Sequence, residues 1–175
     1  GLSTALLSNM LGGYGNIVRA MPNTPAMIQM GATGLYGTDD ISAEQKQLAT
    51  AVMEASGLVM WVDNEEHMHA VTAVSGSAPA YMFYFIEAMV DGAVALGLDK
   101  EQAPALALQT MLGAAKMALG SEDAPSELRR KVTSPNGTTQ AAIESMQAND
   151  ISRQIIEAMQ ACYDRSQALS EEMSK

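Results

Sequence analysis

The stretch Gly57-Leu58-Val59-Met60-Trp61-Val62-Asp63 is where this chain changes character. Its five apolar residues after a glycine form a short run bounded by a turn signal, the pattern of a buried strand. Upstream, strand-like and helix-like pieces alternate. Asn16-Ile17-Val18-Arg19-Ala20-Met21 reads as a buried strand running into Pro22, whose ring disfavours helical backbone in the residue before it. Ala32 to Tyr36 is a second, weaker strand between glycines. Ser42 to Ser56 reads as a helix: Ser42 caps it, Gln45 completes the capping box, Leu48, Val52 and Ala55 form an apolar stripe, and Gly57 closes it. Two or three strands in about 60 residues cannot cover themselves. With no opening β-α-β unit, residues 1–62 are expected to be the end of a larger α/β domain.

Downstream of Asp63 the pattern is helical throughout. Helices are expected over 65–74, 79–96, 100–119, 125–132, 138–148 and 151–170. Pro79 suits a first helical turn and Gly97 a C-terminal stop. Pro104 either lies in the first turn of its helix or delays the start of that helix. The last helix carries Ile151, Ile155, Met159, Cys162 and Leu169 on roughly one face, with Asp150 as its cap. The helices at 79–96 and 100–119 are apolar nearly all round. Gly92, Ala93, Ala95, Gly113, Ala114 and Ala115 would let backbones approach closely. A helix apolar on every face must be enclosed, and so small a helical domain needs a second copy of itself as cover.

Composition narrows the function classes. Among 175 residues, 47% hydrophobic content excludes a disordered acidic tail, and the single Cys162 excludes an internal disulfide framework. Ten basic against twenty acidic residues give a net charge of −10, the wrong sign for a nucleic-acid footprint. The 28 Ala and 14 Met favour closely packed helices with methionine filling irregular gaps. No secretory signal is legible in residues 1–15. Ala78 to Leu98 is long enough to span a bilayer, but Glu87 and Asp91 near its middle would each cost about 2.5–3.5 kcal/mol in lipid. The expected compartment is the cytoplasm, with neither membrane nor nucleic acid as partner.

Three segments are candidates for chemistry. In Val132-Thr133-Ser134-Pro135-Asn136-Gly137-Thr138-Thr139, Pro135 and Asn136 suit a tight turn. The helix that follows opens with N–H groups at Gly137, Thr138 and Thr139 that lack partners within it. With two hydroxyls and a helix dipole added, the turn suits a small anion such as a carboxylate. Its plainer reading is an ordinary capped helix start. In Thr72-Ala73-Val74-Ser75-Gly76-Ser77-Ala78-Pro79-Ala80-Tyr81, small residues surround a helix break where a backbone can approach a ligand, or form a tight interhelical turn. Arg19-Ala20-Met21-Pro22-Asn23-Thr24-Pro25 ends the first strand, where ligands of open α/β sheets gather, and also makes a good structural turn.

Other features carry less. Gly12-Gly13-Tyr14-Gly15 has the composition of a phosphate loop but precedes a strand, whereas the dinucleotide fingerprint follows one. His67 and His69 diverge on a helix and have no third ligand nearby, so no metal is expected. Arg129-Arg130-Lys131 would draw an anion to the turn or simply complement a helix C-terminus. Glu87 and Asp91 are a functional acid pair or a solvated face, and Cys162 is packing.

Taken together, three segments resemble the pyrroline-5-carboxylate reductase family: Met21-Pro22-Asn23-Thr24-Pro25; Ser75-Gly76-Ser77-Ala78-Pro79-Ala80-Tyr81; and Pro125, Leu128, Val132 to Thr139, Ala141 and Ile143. Ile86-Glu87-Ala88-Met89 and Gly113-Ala114-Ala115-Lys116-Met117 fit as well. Asn136 stands where the family usually has glycine, and asparagine tolerates the backbone such a turn needs. The resemblance implies a mainly α fold. Residues 63–175 would be an all-helical substrate-binding and dimerisation domain of the phosphogluconate-dehydrogenase C-terminal type. Residues 1–62 would be the last strands and helix of a Rossmann-type dinucleotide-binding domain. The family's glycine-rich cofactor loop has no counterpart here, so the chain is expected to be a fragment, inactive alone.

By the same resemblance, Ser134, Gly137, Thr138 and Thr139 hold the pyrroline carboxylate. Thr139 is the catalytic residue, its hydroxyl near the ring nitrogen. Met21, Pro22, Asn23 and Thr24 border the nicotinamide of NADP or NAD, and the product is L-proline. A homodimer or higher homo-oligomer is implied. Two alternatives stay open: a non-catalytic helical dimerisation module, and a related reductase acting on a hydroxy acid.

Overall fold

The computed structural model describes residues 2–173; the outer ends of the two expected domains, residues 1 and 174–175, lie outside the described residues. The chain is mainly α, with a helical C-terminal part after a small three-stranded sheet. It divides into two compact units: the chain up to Ala80 together with that from Ile156 onward, and Tyr81–Ile155. The change of character at Asp63 therefore lies inside the first unit.

In the first unit, α1 (Thr4–Met10) opens on the Ser3 side chain, which accepts from Leu6 N–H. Gly12 closes it at φ 69°, a left-handed conformation natural to glycine, with Gly13 N–H donating to Ser8 O at 2.8 Å. The strands are β1 (Val18–Met21), β2 (Gly31–Gly37) and β3 (Gly57–Trp61), in the order β1-β2-β3. β1 runs antiparallel to β2, from Val18 opposite Gly37 to Met21 opposite Gly34. β3 runs parallel to β2, from Gly31 opposite Gly57 to Leu35 opposite Trp61. The crossover helix α2 (Ala43–Glu54) has the expected capping box between Ser42 and Gln45. Trp61 Nε1–H donates to Thr50 Oγ1 at 2.9 Å, tying α2 to β3. The α2 stripe is not a buried face: Leu48, Val52 and Ala55 are exposed, as are Leu58 and Met60 on β3.

The core of this unit is Ile17, Leu35, Met68, Val71 and Ala73. Helix α3 (His67–Val71) lies against β2 because Gly34 has no side chain. A Cβ there would sit 2.5 Å from Val71 Cγ1, and a β-branched residue cannot swing aside. Gly34→Val should therefore destabilise the unit by about 1–3 kcal/mol, measured by urea unfolding; an unchanged midpoint would contradict this contact.

Two polar ties close the unit. Glu65 accepts from Thr4 N–H and Oγ1–H, both at 2.7 Å, and from Arg19 at 2.9 Å. His69, almost fully buried, meets Ser166 Oγ through Nδ1 at 2.8 Å and stands edge-on to Tyr163. Tyr163 and Ser166 belong to α8 (Ile151–Met173), so α8 is fastened to α3 at this point. Burial is the main influence holding His69 below its ordinary value near 6.5; Arg19 pushes the same way, against the pull of Glu66 and Glu65. A depressed histidine contributes its full stability above about pH 6.5 and loses it as pH falls through its lowered folded value. The melting temperature should fall between pH 7 and pH 5 and do so less in His69→Gln; identical slopes would contradict the assignment.

The second unit holds most of α4 (Ala78–Ala95), then α5 (Ala103–Leu119), α6 (Pro125–Lys131), α7 (Thr138–Ala148) and the start of α8. Pro104 is in the first turn of α5, which begins at Ala103 rather than Lys100. Asp150 precedes α8 with φ 56°, not the extended backbone of an ordinary cap, and its carboxylate accepts from Arg153 Nε–H at 3.2 Å. The unit's buried apolar residues among those described are Ala103 and Ala107. Tyr84 is 76% exposed and Leu108 52%, so the unit by itself leaves apolar side chains of these helices exposed among the described residues. Gly92 and Gly113 face open space, so among the described residues no helix makes the close approach they permit.

Candidate functional site

The turn between α6 and α7 is built from local chemistry. Pro125 starts α6, Glu127 lies in its first turn, and Arg129, Arg130 and Lys131 lie in its last, matching the helix dipole. Arg130 is paired with Glu127 and Lys131 with Asp123, so two of these three cations are neutralised locally. Thr133 Oγ1–H donates to Arg129 O at 2.6 Å and ends the helix. Pro135 and Asn136 then turn the chain, Asn136 at φ 58°. Its N–H donates to Gln140 Oε1 at 2.7 Å, and Gln140 in turn donates to Glu144 at 2.6 Å. Asparagine thus holds the left-handed conformation that the turn requires.

The Gly137 N–H, expected to be free, donates to Ser134 O at 3.1 Å and closes the turn. What Gly137 adds is the absence of a side chain: a Cβ would meet Ser134 Oγ at 2.6 Å. No side chain caps α7. Among the described residues, no protein group takes the N–H of Thr138 or Thr139, nor engages the hydroxyls of Ser134, Thr138 and Thr139. Ser134 and Thr138 are exposed and Thr139 is half-buried. The unpaired amides of Thr138 and Thr139 stand at the positive end of an eleven-residue helix with hydroxyls on either side, an arrangement whose chemistry suits a small anion.

The second and third candidate segments come together within the first unit. β1 ends at Met21, and a 3₁₀ helix over Thr24–Ile28 follows with Pro25 in its first turn. Pro22 and Thr24 are exposed, while Met21 and Asn23 are half-buried. A π-helical turn over Thr72–Gly76 continues α3, with Ser77 N–H donating to Thr72 O at 2.8 Å, and the helix break falls at Ser77, just before α4. The Thr72 and Ser75 hydroxyls donate back to Met68 O and Val71 O, which leaves neither donor for a ligand. Asn23 Nδ2–H donates to Ser75 O at 3.1 Å, and the methyl of Met21 occupies the space beside Gly76.

The remaining features lie outside the α6–α7 turn. Glu87 and Asp91 are exposed on α4. His67 points to solvent and His69 into the core. The Cys162 thiol lies 3.3 Å from Ser77 Oγ. No helix of the described residues is long and apolar enough to cross a membrane. The Glu65 and His69 ties join residues 46 to 97 positions apart, and no short-range pattern could have revealed them.

A family profile described as pyrroline-5-carboxylate reductase dimerisation matches residues 65–169. The pyrroline-5-carboxylate reductase of Pseudomonas aeruginosa is 49% identical over 175 residues, covering 100% of this chain and 64% of the relative. That of Haemophilus influenzae is 42% identical, covering 97% and 63%. Among solved structures, a pyrroline-5-carboxylate reductase from Coxiella burnetii superposes with a TM-score of 0.93 at 44% identity, over 100% of this chain and 63% of that one. The Plasmodium falciparum pyrroline carboxylate reductase with NADP bound gives 0.89 at 29%, over 97% and 68%. The chain spans just under two thirds of the length of the two curated relatives.

Proposed function

The chain belongs to the pyrroline-5-carboxylate reductase family, and we propose that it carries the substrate turn and the subunit-joining helices of a cytoplasmic enzyme that reduces 1-pyrroline-5-carboxylate to L-proline. The observation that carries this reading is the pair of unpaired amides at Thr138 and Thr139 beside uncommitted hydroxyls. The amides and Ser134 hold the substrate carboxylate, and the missing side chain of Gly137 keeps Ser134 in place. The Thr139 hydroxyl faces the ring nitrogen, orienting the imine and stabilising the amine that forms.

When bound, a reduced nicotinamide dinucleotide, NADPH or NADH, supplies the hydride for the ring C=N bond. The residues present fit only its nicotinamide end, through the outward Pro22 and Thr24. Gly12 and Gly13 are used in closing α1 and lead into a strand, so they make no pyrophosphate cradle. We assign residues 1–62 to the end of the cofactor domain and 63–175 to the substrate and dimer domain.

The test is oxidation of NADPH and NADH by the product of the complete reading frame, with pyrroline-5-carboxylate and, in the reverse sense, a panel of hydroxy acids. Turnover with pyrroline-5-carboxylate is expected. Turnover with a hydroxy acid alone would overturn the assignment, and a folded protein without turnover would leave a dimerisation module.

The exposed apolar surfaces of α4 and α5 are assigned to a second copy of the chain. Light scattering should give a dimer or larger assembly, and Leu108→Glu should dissociate it, since a buried unpaired carboxylate costs several kcal/mol. A stable monomer for the unmodified protein would contradict the packing.

A further inference from the structure

Asn23 precedes a 3₁₀ helix, where asparagine ordinarily caps with its side chain, yet its carboxamide makes no such bond. The oxygen goes to Ala32 N–H at 2.9 Å and the nitrogen to Ser75 O at 3.1 Å, nine and 52 residues away. The reason lies in how β1 gives way to the 3₁₀ helix. The β1–β2 register ends at Met21 opposite Gly34, and two further steps place Asn23 opposite Ala32. The Asn23 backbone carbonyl is taken by Ala26 N–H at 3.1 Å as the 3₁₀ helix opens, so the Asn23 side chain supplies the oxygen for the Ala32 N–H in its place. Its other end reaches a carbonyl of the π-helical turn, where the register of helical hydrogen bonds shifts by one residue.

Both ends of the carboxamide are thus committed inside the protein. We propose that Asn23 is a positioning residue: it locks the 21–25 loop to the 72–76 turn, so that Pro22 and Thr24 alone face the nicotinamide. This rests on the reductase reading above and changes one of its assignments, since Asn23 then touches no cofactor with its side chain. Met21, packed at Gly76, belongs to the same lock.

The test uses N23D and N23A in the protein from the complete reading frame. Aspartate keeps the acceptor for Ala32 N–H but turns an oxygen toward the Ser75 carbonyl. N23D should leave Ala32 amide exchange within about twofold and the Kd for the dinucleotide within about threefold, while kcat falls about tenfold or more. N23A breaks both bonds and should speed Ala32 exchange about tenfold or more. An unchanged kcat in N23D, or a tenfold weaker dinucleotide with Ala32 exchange as in the unmodified protein, overturns the proposal. Should neither variant fold, the unmodified protein decides. Slowly exchanging Asn23 side-chain protons, with or without dinucleotide, support the lock; rapid exchange overturns it. Absence of turnover in the unmodified protein would sink the reductase reading, whereas Ala32 exchange in N23A still judges the lock.

Discussion

Thr139→Ala in the complete protein is expected to lower kcat/KM for pyrroline-5-carboxylate about 10- to 100-fold while leaving the fold intact, the scale of one lost hydrogen bond to a charged group. The residue occupies the second position of α7, where its hydroxyl engages no other protein group among the described residues. Removing that hydroxyl leaves no buried donor or acceptor stranded, so the melting temperature should stay put. The Thr139 N–H survives the substitution, so the carboxylate is still held. The loss should therefore fall on kcat more than on KM, and Thr139→Ser should restore much of it. Unchanged kinetics would remove Thr139 from the reaction.

Glu65→Ala should destabilise the first unit by about 3 kcal/mol, because it leaves the Arg19 guanidinium buried without its carboxylate. Arg19 is 10% exposed and Glu65 22%, so solvent cannot readily replace the lost partner. Burial alone would raise the Glu65 carboxyl, but the Thr4 hydrogen bonds and the Arg19 charge outweigh it and hold it below its ordinary value near 4.5. A carboxyl held low contributes stability above that ordinary value and loses it as pH falls through its folded value. The acid limb of the urea midpoint should consequently flatten in Glu65→Ala. A change within about 0.5 kcal/mol, the size of an ordinary surface substitution, would contradict the burial of this pair.

What could be read beforehand was whatever short-range chemistry settles. The Ser42–Gln45 capping box, Pro125 in its first turn and the Asn136 turn are all decided within a few residues. Three kinds of feature were not legible. Helix α1 is only seven residues long, and its signals, Ser3 before and Gly12 after, are too common to stand out. The commitment of the Gly137 N–H depends on how tightly the turn closes, and the π-helical turn on how Asn23 meets Ser75. The periodicity of Leu48, Val52 and Ala55 indicates a helix truly but not what covers it; that face is open in this chain. Motifs spread along the sequence identified the family where no local periodicity could.

Whether the start of α7 receives a carboxylate decides what this site does. A crystal structure of the complete protein with L-proline bound tests this most directly. The proline carboxylate is expected within hydrogen-bonding distance of the Thr138 and Thr139 amides, with the ring nitrogen facing the Thr139 hydroxyl. Proline bound elsewhere, with those two amides still facing water, would contradict it.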